Sequence, residues 1–378
     1  KILLKQNLRR KKISFKSDFK KIEAQNYIIC VGSEINNKNI TNKNLLNICK
    51  KIGSKLNYGD LVILRGTVQV GLSQKLLVPL LEKSSGLKCG RDFSYSFMPE
   101  RIIEGEALFE LKTLPQLISG KTYNCKEKAL NFAKFYFENI IELSSLEEAE
   151  IIKLATNSYR DLNFAFANEI TRIASKFNLS GNKLIKNSNL GYERNKISLP
   201  SIGVGGYCLP KDPLLFSKLF KIEDGYSLGK NSRQINDRSV YESFKRILIK
   251  TKNFKNILIF GATFKGLPET IDLRNSPAIQ ISKLLKKRSK KIEFYDVMQK
   301  DIKSVNPKLG ISFVKNLSKL NKYDLIILAN NHPKYVEVIE SEKGIKFNYK
   351  NENKSIFDPW CLLNQDLIQK LNWKYISL

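Results

Sequence analysis

Histidine is almost absent from this chain: His332 is the only one in 378 residues. The six cysteines, at positions 30, 49, 89, 125, 208 and 361, have no metal-ligand spacing. With no cluster of His, Cys and carboxylate, the pattern points away from a metal site. His332, in Asn330-Asn331-His332-Pro333, follows a strand pattern and reads as a polar loop residue at a strand end. No apolar run is long enough for a membrane-spanning helix. The opening stretch, Lys1 to Lys21, is basic but lacks the apolar centre of a signal peptide. Scattered cysteines with no disulfide framework are those of an intracellular, cytoplasmic protein with reduced thiols.

Acidic residues are scarce too: 36 Asp and Glu stand against 65 Lys and Arg, a net charge of +29. Such a charge invites a nucleic-acid function. The lysines, however, are spread along the whole chain and form no binding stripe, so neither a nucleic-acid nor a membrane partner is expected. What is present is ample apolar material, 42% of residues, in a chain long enough for two or three domains.

Short apolar runs alternate with helical patterns through the first third. Strands are expected at Tyr27–Val31, Leu61–Leu64, Phe93–Phe97, Gln116–Ile118 and Asn139–Leu143. Helices are expected at Asn44–Leu56, Leu72–Ser84 and Lys126–Tyr136. The run at 27–31 reads as a buried parallel strand. From about 145 to 252 helical periodicity dominates, at Ser145–Phe177, Pro213–Phe220 and Gln234–Lys250. Strand patterns then resume at Ile257–Phe260, Lys291–Asp296, Tyr323–Ala329, Ser355–Asp358 and Trp373–Ile376. The expected fold is α/β, with two Rossmann-like parallel-sheet domains, 1–144 and 253–378, joined by a central helical domain, 145–252.

The most informative segment is Gly203-Val204-Gly205-Gly206-Tyr207-Cys208-Leu209-Pro210-Lys211-Asp212. Glycines permit positive φ and close approach of backbone to a ligand. A thiol near a lysine ionises more readily, and the thiolate is the nucleophile. On these residues alone, a surface turn holding a half-buried cysteine fits equally well. The segment is not the dinucleotide fingerprint, since no strand precedes Gly203 and Cys208 fills the third glycine slot. Lys153 and Asn157 are four apart in a helical pattern and share one face, although a solvated lysine is the plain alternative. Glu100 and Glu104 read as acids at a helix N-terminus, and Asp212, before Pro213, as a turn cap.

The cysteine segment closely resembles the signature of the nucleotide-sugar 6-dehydrogenases, the UDP-glucose, GDP-mannose and UDP-N-acetylhexosamine dehydrogenase family. Three further blocks match in order. They are Met98-Pro99-Glu100-Arg101 through Ala107, Glu150-Ile151-Ile152-Lys153 through Asp161, and Gly261-Ala262-Thr263-Phe264-Lys265 through Pro277. Enzymes of this family begin with a strand, a G-x-G-x-x-G turn and a helix that hold the pyrophosphate of NAD. No such motif precedes Tyr27, so the first domain is expected to be N-terminally truncated relative to the family.

The resemblance implies a four-electron oxidation of a primary alcohol to a carboxylate with NAD as cofactor. It makes Cys208 the nucleophile that traps the aldehyde as a thiohemiacetal, carried on to a thioester that water hydrolyses. Lys153 and Asn157 would stabilise the oxyanion and hold the water, and Asp212 would orient Lys153 or relay protons. Glu100, paired with Thr67, would handle the hydrolytic water. Thr67, Glu104, Lys211 and Arg274 match cofactor-side positions. Lys153, Asn157, Gly205 and Lys265 match substrate contacts, and Arg194 matches an arginine that reaches substrate in a neighbouring subunit. The implied partners are a UDP-sugar and a second copy of the chain, in a homodimer through the central domain. The blocks Asn157 through Glu169 and Phe264 through Arg274 favour a UDP-N-acetylhexosamine, with UDP-glucose next, and a product destined for surface polysaccharide. A non-catalytic remnant that binds UDP-sugar and dimerises is the alternative left by the missing motif.

Overall fold

The computed structural model describes residues 2–36, 39–194, 196–218, 227–251, 253–317, 320–341, 344–346, 348 and 353–378. The last two residues of the helix expected at Pro213–Phe220, and Asn195 in the block that carries Arg194, lie outside them. In chain order the first elements are α1 (Ile2–Arg9), β1 (Asn26–Ile29), β2 (Glu34–Asn36), β3 (Asn39–Thr41), α2 (Lys43–Gly53), β4 (Leu61–Leu64) and α3 (Val78–Ser85). Then come β5 (Ser94–Phe97), α4 (Ala107–Thr113), β6 (Gln116–Ile118), α5 (Tyr123–Ala133), β7 (Ile140–Glu142), α6 (Leu146–Lys176), α7 (Gly181–Asn189), α8 (Asp212–Ser217) and α9 (Leu228–Lys250). The remainder is β8 (Asn256–Phe260), α10 (Pro277–Leu285), β9 (Lys291–Tyr295), α11 (Gln299–Val305), β10 (Leu325–Leu328), α12 (Lys334–Glu340), β11 (Ser355–Phe357), α13 (Gln365–Lys370) and β12 (Lys374–Ile376).

Packing divides the chain into two compact units, one of residues Lys1–Arg101 and Lys112–Lys153, the other of Ile102–Leu111 and Leu154–Leu378. The first unit carries a parallel sheet in the order β1-β4-β5 and a two-stranded parallel pair, β6 with β7. All four residues of β4 are buried, as suits a central parallel strand covered on both faces. In β1 burial alternates instead, and Ile28 is 49% exposed, so this edge strand is not buried on both faces as its apolar run suggests. The core beneath the sheet gathers Leu45, Leu64, Leu77, Phe97 and Ala149.

One buried carboxylate organises this unit. Glu150 accepts hydrogen bonds from the backbone N–H groups of Gly71 and Ser73 at 2.5 and 3.1 Å, where the chain turns through Ser73–Leu77 into α3. These are the amides a helix N-terminus leaves unpaired, and a carboxylate is well matched to them. Burial is the dominant influence on Glu150 and holds its carboxyl above the usual range.

The second unit holds a five-stranded parallel sheet in the order β12-β11-β10-β8-β9. Period-two alternation along β8 sends Ile257 and Ile259 into one core with Ile281 and Leu325, and Leu258 and Phe260 into another with Tyr335 and Trp373. Connections leave β8 toward β9 on one side and return beyond it to β10 on the other. The carboxyl ends of β8 and β10 therefore bound the topological switch point, where open α/β sheets bind ligands. No helix among the described residues is long and apolar enough to cross a membrane.

At the carboxyl ends of β1 and β4 two backbones cross without room for a side chain. A Cβ on Gly66 would meet the Val31 carbonyl oxygen at 2.3 Å, whereas one on Gly310 meets nothing within 4 Å. Gly66→Ala is expected to lose at least about 2 kcal/mol of stability, and Gly310→Ala to be nearly neutral. Urea unfolding of both variants checks this, and equal midpoints would contradict it.

Candidate active site

Cys208 is exposed, on a loop whose backbone is tied down on both sides. Gly206 has φ of +87°, a left-handed conformation that side chains disfavour. Its N–H donates to the Arg274 carbonyl at 2.9 Å, and its carbonyl accepts from Asn275 Nδ2 at 2.9 Å. A Cβ on Gly205 would lie 2.5 Å from the Asn275 carbonyl oxygen, so the loop packs backbone to backbone on that turn. Beyond the cysteine the chain coils into α8, with the amides of Lys211 and Asp212 donating to the Cys208 carbonyl at 3.0 and 2.8 Å.

Asp212 opens α8 and is completely buried. Asn157 Nδ2 donates to its Oδ2 at 2.6 Å, and Lys211 Nζ lies 2.8 Å from Oδ1 as a buried ion pair. That ion pair falls outside hydrogen-bond angles, so Oδ1 has a charge partner without a directed bond. Within this unit the partners of Asp212 are Asn157 and Lys211. Lys211 Nζ also lies 5.4 Å from the Tyr207 ring centroid, and the Arg274 guanidinium carbon 4.6 Å from it. Arg274 is itself paired with Asp272 at 2.7 Å.

Beneath the loop lies a charge cluster. Arg233, on α9, pairs through Nη1 with Asp161 of α6 at 2.6 Å and through Nη2 with Asp237 at 2.9 Å. The same guanidinium donates to the Val204 carbonyl at 3.3 Å and reaches the Leu209 carbonyl at 3.5 Å. It holds the cysteine loop at both ends. Asn236 and Ser232 also donate to Asp161, at 2.8 and 3.1 Å. Burial outweighs the arginine's pull, so the Asp161 carboxyl sits above its ordinary range. Arg233 is a residue that sequence reasoning missed; an arginine in a helix among 65 basic residues carries no local signal.

Phe264 and Lys265 follow β8 at the switch point. Lys265 Nζ donates to the Glu104 carbonyl at 2.6 Å. Burial pulls the Lys265 ammonium below the usual lysine range, against the attraction of Glu104. Beside them is a cavity of about 200 Å³ whose walls include Arg160, Gly205, Lys265, Asn330 and Trp360. The Trp360 indole N–H is buried with no hydrogen-bond partner among the described residues. Its turn is built on Asp358, which accepts from the amides of Trp360, Leu362 and Leu363 at 3.1, 2.8 and 2.9 Å. Asn330 and Trp360, both missed from sequence, meet here only because two parallel strands end side by side.

His332 is 3% exposed and closes this loop system, its Nε2 3.0 Å from Glu269 and its Nδ1 accepting from the Lys334 amide at 3.2 Å. Arg194 is exposed in the turn after α7, its guanidinium carbon 5.2 Å from the Tyr192 ring centroid.

The remaining expected residues lie in the first unit. Lys153, 7% exposed on α6, donates from Nζ to the Glu100 carbonyl. Glu100 lies in a loop, not at a helix N-terminus, and its carboxylate pairs with Arg65, which also donates to Gln116 Oε1 at 3.2 Å. Thr67, two residues on, is half-buried, and its carbonyl accepts from the Ser33 amide at 2.8 Å. Ser33 follows the carboxyl end of β1, Arg65 and Thr67 that of β4, and Glu100 that of β5.

An exposed cysteine on a glycine loop beside one parallel sheet, and a cluster of polar side chains at the carboxyl edge of another, define the class as a two-sheet α/β protein with ligand-binding strand ends. Comparison with known proteins specifies it. The NAD binding, central and UDP binding domains of the UDP-glucose/GDP-mannose dehydrogenase family match residues 1–138, 147–238 and 258–365. The UDP-N-acetyl-D-mannosamine dehydrogenase of Campylobacter jejuni is 31% identical over 86% of this chain and 81% of its own length. The UDP-N-acetyl-D-glucosamine 6-dehydrogenase of Salmonella typhi is 29% identical over 86% of this chain and 78% of its own. The solved UDP-D-ManNAc dehydrogenase of Pyrococcus horikoshii superposes with a TM-score of 0.81 at 25% identity, covering 99% of this chain and 86% of that one.

The chain belongs to the UDP-glucose/GDP-mannose dehydrogenase family. It is an NAD-dependent oxidoreductase acting on a nucleotide sugar. The first unit fits the cofactor. Ser33, after β1, keeps a fully buried hydroxyl with no hydrogen-bond partner among the described residues, next to the half-buried Thr67 at the carboxyl edge of the sheet.

Removing one member of a buried ion pair strands the other. Asp161→Asn is expected to cost about 3 kcal/mol of stability, measured by denaturant unfolding. A loss below a few tenths of that would show that Arg233 is satisfied without Asp161.

Proposed function

We propose that the chain oxidises C6 of a UDP-N-acetylhexosamine to the carboxylate through a covalent adduct on Cys208. The observation that carries this is the exposed Cys208 on a rigid glycine loop, above the buried Asn157–Asp212–Lys211 cluster. NAD, when bound, supplies a hydride acceptor, once for the alcohol and once for the cysteine adduct. Ser33 and Thr67 of the first unit would hold it, and Glu104, Lys211 and Arg274 of the second are assigned to the cofactor by the family resemblance.

In this reading the Cys208 sulfur attacks the C6 aldehyde, a C–S bond forms and the carbonyl oxygen takes the negative charge. The Lys153 ammonium and the Asn157 amide stabilise that oxyanion. Asp212, bonded to Asn157 Nδ2, positions the amide so that its other N–H remains available. After the adduct is oxidised to a thioester, Glu100 accepts a proton from water, which adds to the acyl carbon, and the Cys208 thiolate leaves. Thr67 helps place that water. Holding the adduct on sulfur keeps the aldehyde from escaping between the two oxidations. Lys265, Gly205 and the walls of the 200 Å³ cavity take the UDP-sugar, with the Trp360 indole N–H a donor awaiting an acceptor. Arg194 is assigned to substrate in a second copy of the chain, paired through the central helices. The hexosamine preference rests on the relatives, named for UDP-N-acetylmannosamine and UDP-N-acetylglucosamine.

The expected result is two NADH per sugar with UDP-N-acetylmannosamine or UDP-N-acetylglucosamine, and less turnover with UDP-glucose. Cys208→Ser should abolish uronate formation and retain UDP-sugar binding by calorimetry; wild-type-like turnover in that variant would exclude covalent catalysis.

The lowered Lys265 ammonium gives a pH signature. Because burial disfavours the ammonium, its charge is lost, as pH rises, earlier than for an ordinary lysine. UDP-sugar affinity should therefore decline on the alkaline side below the ordinary lysine range, and Lys265→Arg should move that decline upward. An unchanged profile in Lys265→Arg would remove Lys265 from substrate binding.

A further inference from the structure

Two of the six cysteines, remote from each other in sequence, meet in the first unit. Cys89 and Cys125 lie 36 residues apart in the chain, with their sulfurs 3.8 Å from each other. Both backbones are anchored. The Cys89 amide donates to Glu82 Oε1 of α3 at 3.0 Å, and the Cys125 amide donates to the hydroxyl of Thr122, which caps α5. Cys89 is half-buried, whereas Cys125 is fully buried. The pair sits at the amino end of β5, where the Tyr95 amide approaches Cys125 Sγ at 3.5 Å. That is the edge of the sheet opposite the one that carries Glu100 and Thr67.

We propose that Cys89 and Cys125 are a redox-modifiable dithiol, which a low-molecular-weight disulfide converts to an intramolecular disulfide. An S–S bond is about 2.05 Å long, so the sulfurs must close by less than 2 Å, a distance within reach of side-chain rotation and a small shift of the 86–93 loop. The proton distribution favours exchange. With the shared hydrogen on Cys89, and with Thr122 and the Tyr95 amide beside it at the first turn of α5, the Cys125 thiol is pulled down to about 5. Cys89, as the donor, is pushed up.

The exchange balances in two steps. The Cys89 sulfur attacks one sulfur of RS–SR, giving Cys89–S–SR and RS⁻, while its proton passes to the Cys125 thiolate. RS⁻ then takes that proton and leaves as RSH, and the regenerated Cys125 thiolate attacks Cys89 Sγ. The intramolecular S–S bond forms and the second RS⁻ departs. The protein loses two electrons and one proton; the reagent is reduced to one thiol and one thiolate. The new bond would staple α5 to the loop that leads into β5.

The full chain, treated with oxidised glutathione under native conditions, alkylated, digested and mapped, tests this. The expected product is a Cys89–Cys125 linked peptide lighter by two hydrogens, with both thiols lost to alkylation and the midpoint of thermal unfolding raised. Cys125→Ser should instead retain a glutathione adduct on Cys89, and its unfolding midpoint should not rise. If that variant does not fold, Cys89→Ser replaces it, with Cys125 expected to stay unmodified. Recovery of both cysteines in alkylated form, or a lasting glutathione adduct on Cys89 of the unmutated chain, would overturn the proposal.

Discussion

A guanidinium buried between helices is costly unless every donor finds an acceptor, and Arg233 meets that condition in a way that shapes the site. Its partners are the carboxylates of Asp161 and Asp237 and two carbonyls of the cysteine loop, those of Val204 and Leu209. The loop therefore cannot relax without leaving a buried charge underserved. Gly205 and Gly206, pressed against Asn275 and Phe264, close the other side. Between these constraints the Cys208 backbone has little freedom, and its thiol is presented to solvent from a rigid base. Under the proposed reaction the adduct on Cys208 forms once and is held through the second oxidation, and a rigid base suits that task, since misplacement by an ångström is expensive in rate.

The same economy governs the sheets. In each, the polar groups that matter sit at the carboxyl ends of parallel strands, where backbone amides and carbonyls emerge without partners in the ladder. Unit by unit, buried carboxylates take up these groups: Glu150 the amides before α3, Asp296 the amides of Ala262 and Thr263, and Asp358 the amides around Trp360. These acids are few in a chain with a net charge of +29, and several are spent on holding loops in place. The surplus of positive charge remains available to attract an anionic nucleotide sugar from a distance.

Much of this was legible in the sequence, and for identifiable reasons. β4, β8 and β10 are uninterrupted apolar runs, because both faces of a central parallel strand are buried, and their limits match expectation closely. α6 carries long helical periodicity. The edge strand β1 misled, since an apolar run says nothing of whether a covering layer exists on each side. α9 starts at Leu228, six residues before its expected beginning, because its first turn is capped by the Ser227 hydroxyl and contains few apolar residues to mark it.

Local pattern by itself determined the strands, the long helix, and the cysteine loop with its lysine and carboxylate, because each depends on neighbours in the chain. Tertiary structure alone decided what those residues touch. Asp212 takes Asn157 from another helix, Lys153 takes the carbonyl of Glu100, Arg233 and Asn330 acquire roles through contacts 24 to 72 residues away in sequence, and Trp360 through the cavity wall it shares with Arg160. The pairing of Cys89 with Cys125 is of the same kind. Side-chain partnership is set by which strand ends and helix faces the topology brings together, and no spacing rule along the chain encodes that.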